Sequence, residues 1–106
     1  MAIEAIVVFV TVSSEKEAQK ISDKLIKKKL VACVNIIPGI QSVFKWKRKI
    51  YQEEELLLIM KSSLSKFDEI ASEVKHHHSY EVPEIIALPI IAGAEDYLQW
   101  VEESIT

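Results

Sequence analysis

Four things are scarce in this chain of 106 residues, and each scarcity closes off a class of protein. Cysteine occurs once, as Cys33, so there is no intrachain disulfide and no cysteine-rich zinc module. A lone thiol fits a reducing, cytoplasmic setting. Two glycines and three prolines leave little material for long loops, and with 49% hydrophobic residues nothing reads as disordered. Basic residues are not in excess: 13 Lys and Arg stand against 16 Asp and Glu, a formal net charge of −3. The chain as a whole therefore has no electrostatic reason to bind nucleic acid or an anionic membrane. Long apolar runs are missing too. Ala5 to Val10 falls far short of the roughly 20 residues a membrane span needs. Met1-Ala2-Ile3-Glu4 carries neither the basic flank nor the cleavage site of a signal peptide. The expectation is one soluble, cytoplasmic domain over residues 1–106, near the commonest domain size.

What is present is strong patterning. Ile3 to Val12 is almost continuously apolar and β-branched, as in a strand buried on both faces. Ser14 and Glu17 form a capping-box pattern for a helix whose Ala18, Ile21, Leu25 and Ile26 make one apolar stripe. Lys27, Lys28 and Lys29 close it, where positive charge suits the helix dipole. Val31 to Ile37 reads as a second strand, bent or bulged at Pro38-Gly39 and resuming from Ile40 to Trp46. After a charged turn over Lys45 to Lys49, Ile50 to Lys61 returns as the third strand. Ser65 with Asp68 opens a second helix with Phe67, Ile70, Ala71 and Val74 on its inner face. Val82 to Ile91 is the fourth strand, with Pro83 and Pro89 confined to its ends or an edge. Ala94 to Ser104 closes the chain as a helix with Tyr97, Leu98 and Val101 facing inward.

The order β-α-β-β-α-β plus a short C-terminal helix predicts an α+β, ferredoxin-like fold on an antiparallel sheet. In that topology both crossover helices lie on one face of the sheet. A solvated second face should alternate apolar with polar residues, yet strands one, three and four are apolar at consecutive positions. No element of the chain is left over to cover that face. The pattern predicts a homo-oligomer packed sheet to sheet, with the long hairpin reaching a neighbouring copy.

One segment carries candidate chemistry. His76 to Glu84 reads His-His-His-Ser-Tyr-Glu-Val-Pro-Glu and holds all three histidines of the chain. Imidazole is a common transition-metal ligand, so the run is either a metal site or a solvated helix end whose histidines meet the last carbonyls. Adjacent helical residues diverge by about 100°, so convergence on one ion needs a frayed helix end or a second subunit. Tyr80, Glu81 and Glu84 could join His78 in acid–base work. No Gly-x-Ser-x-Gly elbow, HExxH motif or P-loop accompanies them, and the expectation is a protein that is not an enzyme. Glu84 reads instead as a partner for a basic residue such as Lys61. Cys33, between Ala32 and Val34, reads as a small buried hydrophobe. Lys45, Lys47, Arg48 and Lys49 around Trp46 read as a solvated turn that discourages edge aggregation, and Trp46 and Trp100 as packing or interface anchors.

Several segments together resemble the CutA family, the divalent-cation tolerance proteins. They are Leu30-Val31-Ala32-Cys33-Val34-Asn35-Ile36-Ile37-Pro38-Gly39-Ile40, Trp46 followed by Lys49-Ile50, Lys61, Tyr80-Glu81-Val82-Pro83-Glu84 and Tyr97-Leu98-Gln99-Trp100. The resemblance spans essentially the whole chain. It implies a tight trimer similar in architecture to PII-type signalling proteins, and a link to divalent-cation tolerance with copper bound by some members. On that basis His77 and His78 are the candidate metal residues, for Cu2+ or another divalent cation bound weakly, with no cofactor required. The alternative is a PII-like signalling or scaffold module with a small-molecule cleft between subunits, lined by Lys61, Tyr80, Glu84 and Trp100. A structural assembly role is the third reading. The chain departs from the family pattern at three places: Ser79 stands for a proline, Lys47-Arg48 for Glu-Gly, and Val10 for a first-strand cysteine found in one branch. Loss of the turn glycine predicts a changed turn geometry at the hairpin tip.

Overall fold

The structure is a computed structural model and describes residues 3–106; Met1 and Ala2, on which part of the leader-peptide reading falls, lie outside the described residues. Its elements are β1 (Ala5–Val12), α1 (Glu15–Lys27), β2 (Cys33–Trp46), β3 (Lys49–Ser63), α2 (Phe67–His77), β4 (Ile85–Pro89) and α3 (Glu95–Ser104). The four strands form one antiparallel sheet in the order β2-β3-β1-β4.

Alternation along β1 explains its continuous apolar sequence. Ile6, Val8, Val10 and Val12 point to one side and are at most 4% exposed. Leu56, Leu58 and Met60 of β3 join them, and α1 and α2 cover that side with Ala18, Ile21, Leu25, Ile70 and Val74. The fourth apolar position expected on α1 is displaced: Ile26 is 43% exposed, and Ser22 turns inward instead. Its hydroxyl donates to the Ala18 carbonyl at 2.7 Å, so the buried oxygen is satisfied.

The helix ends follow local chemistry. Ser14 Oγ accepts from the Glu17 amide at 3.2 Å and caps α1. The C-terminal end closes in a Schellman arrangement, in which Leu30 N donates to Leu25 O and Lys29 N to Ile26 O. Lys29 takes the left-handed position there at φ 57°. At α2 the expected cap moves. Ser63, not Ser65, accepts from a backbone amide, and a 3₁₀ turn over Leu64–Lys66 precedes the helix.

Along β2 the register shifts between Ile37 and Ile40, with Gly39 at φ 75°, as Pro38-Gly39 implied. The tip corrects an expectation. Lys47 and Arg48 both hold positive φ, 49° and 71°, so the turn keeps the geometry glycine would favour. Two residues joining right-twisted strands demand that mirror-image turn whatever the side chains, and the long β2–β3 ladder holds it. β4 is shorter than expected because Pro83 cannot donate to a ladder; Pro89 ends the strand opposite Ile6.

The second face of the sheet is apolar and mostly open. Val7 sits between Lys61 and Leu88, and Phe9 between Ile59 and Ile86, with Ile37 and Leu57 on the next row. Ile86 and Leu88 are 48% and 43% exposed. One end is covered from within the chain, contrary to expectation. Tyr97 Oη of α3 lies 3.7 Å from Cys33 Sγ, whose ladder partner is Lys61. Val101 is wholly buried beneath α3, whereas Tyr97 stays 40% exposed rather than facing the core.

Candidate functional site

The histidine segment lies where α2 ends and the chain turns toward β4. His78 leaves the helix in an extended conformation and its side chain is fully buried. Its Nδ1 accepts from the Tyr80 amide at 3.0 Å, so Nε2 carries the proton and donates to the Thr11 carbonyl of β1 at 2.7 Å. Glu17 completes this clip: Oε1 accepts from the Ser79 amide at 3.1 Å, and Oε2, otherwise unpartnered, lies 3.5 Å from His78 Nδ1. The capping box is therefore half-formed, because the Glu17 carboxylate serves the 78–80 segment instead of its own helix start.

His77 points elsewhere. Its Nε2 is 3.8 Å from Glu73 Oε1, and its ring meets His76 edge to face at 4.8 Å. Burial holds its pKa below the usual 6.5, helped by repulsion from His76 and opposed by Glu73. Glu73 is itself clamped by Lys28, whose Nζ donates to both carboxylate oxygens at 2.9 and 2.8 Å. That hydrogen bond is the main reason the Glu73 pKa falls below 4.5. Within one subunit His77 and His78 thus diverge, and both nitrogens of His78 are already engaged. Among the described residues no group of three or more His, Cys, Asp or Glu is arranged to hold a metal ion. Val10 is fully buried in the core, so the first strand supplies no ligand.

Tyr80 donates from Oη to Glu55 Oε2 at 2.6 Å, and Glu55 is only 4% exposed. Burial, then the hydrogen bond and charge of Glu55, push the phenol well above its usual pKa. A phenol so raised and a histidine with no free nitrogen hold the segment in place; they are poorly suited to moving protons near neutral pH.

Within one chain, the four residues expected to line a cleft between subunits fall into two pairs. Tyr80 and Glu84 border a groove beside the hairpin. Lys61 and Trp100 belong to the opposite end: Lys61 donates to the Asn35 side-chain oxygen, and Trp100 packs against Tyr97 at 5.6 Å. Lys61 lies six positions along β3 from Glu55, roughly 20 Å on an extended strand. Lys61 thus takes Asn35 as its partner, not Glu84. Sequence reasoning missed Glu55 and the Lys28–Glu73 clamp. Glu55 hides inside a run of three glutamates, and the clamp joins residues 45 apart.

The fold and site define a small α+β domain with one closed and one open sheet face, in which His78 serves as a structural clip. The CutA1 divalent ion tolerance protein family matches residues 6–104, and the chain belongs to that family. It is 43% identical over 98 residues to the divalent-cation tolerance protein CutA of Thermus thermophilus, covering 92% of this chain and 95% of that one. To the chloroplastic protein CutA of Arabidopsis thaliana it is 42% identical over 102 residues, which are 96% of this chain but 56% of that protein. The chain spans little more than half the length of that plant relative. A solved structure titled periplasmic divalent cation tolerance protein CutA, from Archaeoglobus fulgidus, superposes with a TM-score of 0.93 at 41% identity, covering 96% and 99% of the two chains. The family is named for cation tolerance, not for a catalysed reaction, and includes members named for the chloroplast and the periplasm. No helix among the described residues is long and apolar enough to cross a membrane.

Proposed function

We propose that the chain is the subunit of a non-enzymatic homotrimer of ferredoxin-like subunits that contributes to divalent-cation tolerance and binds divalent metal weakly, copper among the candidates. The observation that carries this reading is the open sheet face, where Phe9, Leu57, Ile59, Ile86 and Leu88 lie together, the first three partly accessible and the last two nearly half exposed. Family membership supplies the link to cations. Metal contact falls to His77 beside Glu73, and not to the His77–His78 pair. It is weak because Lys28 already occupies both Glu73 oxygens. The free thiol of Cys33 suits a reducing compartment such as the cytoplasm.

Calorimetric titration of the assembled protein with Cu2+ and Zn2+ tests the metal reading. His77→Ala should weaken binding, whereas His78→Gln should leave metal affinity unchanged while lowering stability. Equal affinity in wild type and His77→Ala would remove the site. A second reading, a PII-like module with a small-molecule cleft between subunits, is favoured by Lys61, the one charged side chain in the open-face rows that run through Val7, Phe9 and Thr11. A metabolite-dependent rise in melting temperature that is abolished by Lys61→Met and insensitive to His77 would select it.

A further inference from the structure

The lysines of α1 form a charged surface that neither reading uses. Lys16, Lys20, Lys24 and Lys28 recur every four residues, and all four are exposed. Four residues advance about 6 Å along a helix and turn it by only about 40°, so the lysines make one ridge roughly 18 Å long. Ala18, Ile21 and Leu25 face the closed core, which turns the ridge outward. It belongs to the helix layer, on the side of the sheet opposite the open face. The ridge is therefore exposed in a lone subunit and in an assembly formed through the open face.

Local chemistry does not account for this charge. The helix dipole favours Lys24 and Lys28 near the C-terminal end, but not Lys16 in the first turn or Lys20 in the middle. Like charges four residues apart weaken a helix. Lys28 finds a carboxylate in Glu73, whereas among the described residues Lys16, Lys20 and Lys24 make no ion pair. Of the acids on α1, Glu17 serves the Ser79 amide and Asp23 accepts from Gln19 Nε2 at 3.0 Å. Lys20 and Lys24 even repel the His77 imidazole of α2, a lesser cause of its low pKa than burial. The chemistry of the ridge also narrows what it fits. Lysine is a point charge without the planar fork of arginine, so a row of lysines rewards dense, repeated negative charge rather than carboxylate geometry. α1 carries no aromatic ring on which a nucleic-acid base could stack. Ile26, its exposed apolar side chain, lies off the ridge, which leaves nothing there to enter a lipid surface. A thin, linear chain of phosphates matches what remains.

We propose that the α1 ridge binds a linear inorganic oligo- or polyphosphate, with Lys16, Lys20 and Lys24 contacting successive phosphates. Tripolyphosphate, titrated into the assembled protein in metal-free buffer at fixed ionic strength and followed by NMR, is the probe. Saturable shifts are expected along α1. Lys20→Gln with Lys24→Gln should weaken binding about three- to tenfold, as the loss of two exposed charge contacts would, without changing oligomer size or melting behaviour. Lys66→Gln with Lys75→Gln removes the same charge outside α1 and should weaken it less than about twofold. Absence of saturable shifts would overturn the proposal. So would equal weakening by both pairs of substitutions, which would indicate a diffuse ion atmosphere. A hexaglutamate peptide should bind more weakly than tripolyphosphate; equal or tighter binding would assign the ridge to an acidic polypeptide and overturn it. Growth in mass at low salt without phosphate, abolished by the Lys20 and Lys24 substitutions, would place another copy's acidic α3 on the ridge and would overturn it too. Every arm is read without metal, so the weak metal reading fails or survives independently, on His77.

Discussion

The two faces of one sheet make the most instructive contrast in this molecule. β1 and β3 present apolar side chains in both directions, yet the outcomes differ. Toward α1 and α2, Val8, Val10, Leu58 and Met60 are fully buried. Toward the other side, Phe9 and Ile59 remain partly accessible, and only the end beneath α3 is closed. The chain has thus built one core that is complete and one that is half a core. Burying an apolar side chain fully stabilises by about 1.5–3 kcal/mol, so a face of this composition is strongly favoured to find a partner surface.

Adjacent residues of β3 separate the two faces most sharply. Leu58→Ala, in the closed core, should lower unfolding free energy by about 2–5 kcal/mol in denaturant titrations, with oligomer size unchanged. Ile59→Glu, one residue on, should instead abolish assembly in sedimentation while leaving the far-ultraviolet circular dichroism of the subunit intact. Were both variants to lose stability alike with no change in size, the two faces would not differ in role.

The clip beside β1 allows a smaller effect to be read. Tyr80→Phe removes the donor to buried Glu55 and should cost about 1–3 kcal/mol in chemical unfolding. At the hairpin tip, Lys47→Asn with Arg48→Gly replaces two strained left-handed residues and should raise stability by about 1–2 kcal/mol. It should not alter the closed core, so a change in the native-state chemical shifts of Leu58 and its core neighbours would contradict the assignment.

The smallest effect concerns pH. The folded pKa of His77 lies below its unfolded value of 6.5, so the unfolded chain takes up that proton first on acidification. Its stability contribution is present above about 6.5 and is lost as pH falls toward the folded value. Glu73 acts in a separate window: its contribution holds above 4.5 and fades only as pH falls through its own lower value. His77→Gln should flatten the midpoint-versus-pH curve just below neutrality and leave the more acidic limb in place.

Much of the fold was legible because it rests on short-range rules. The Ser14 cap, the Pro38-Gly39 shift and the strand periodicities each depend on a few neighbouring residues. What failed depended on the third dimension. The turn at Lys47-Arg48 departs from its side-chain preference because ladder geometry overrides it there. Pattern alone places Ile26 and Tyr97 inward, although helix orientation turns them out. The histidines show the limit for sites: adjacent spacing predicts that their rings diverge, but not that the end of α2 sends His78 into the interior and leaves His77 with Glu73.

The central claim is that the open sheet face is a subunit interface. Multi-angle light scattering of the wild-type protein over a dilution series into the low micromolar range tests it most directly. The account predicts a species of three times the subunit mass that persists on dilution. A monomer of unchanged secondary structure across that range would contradict it.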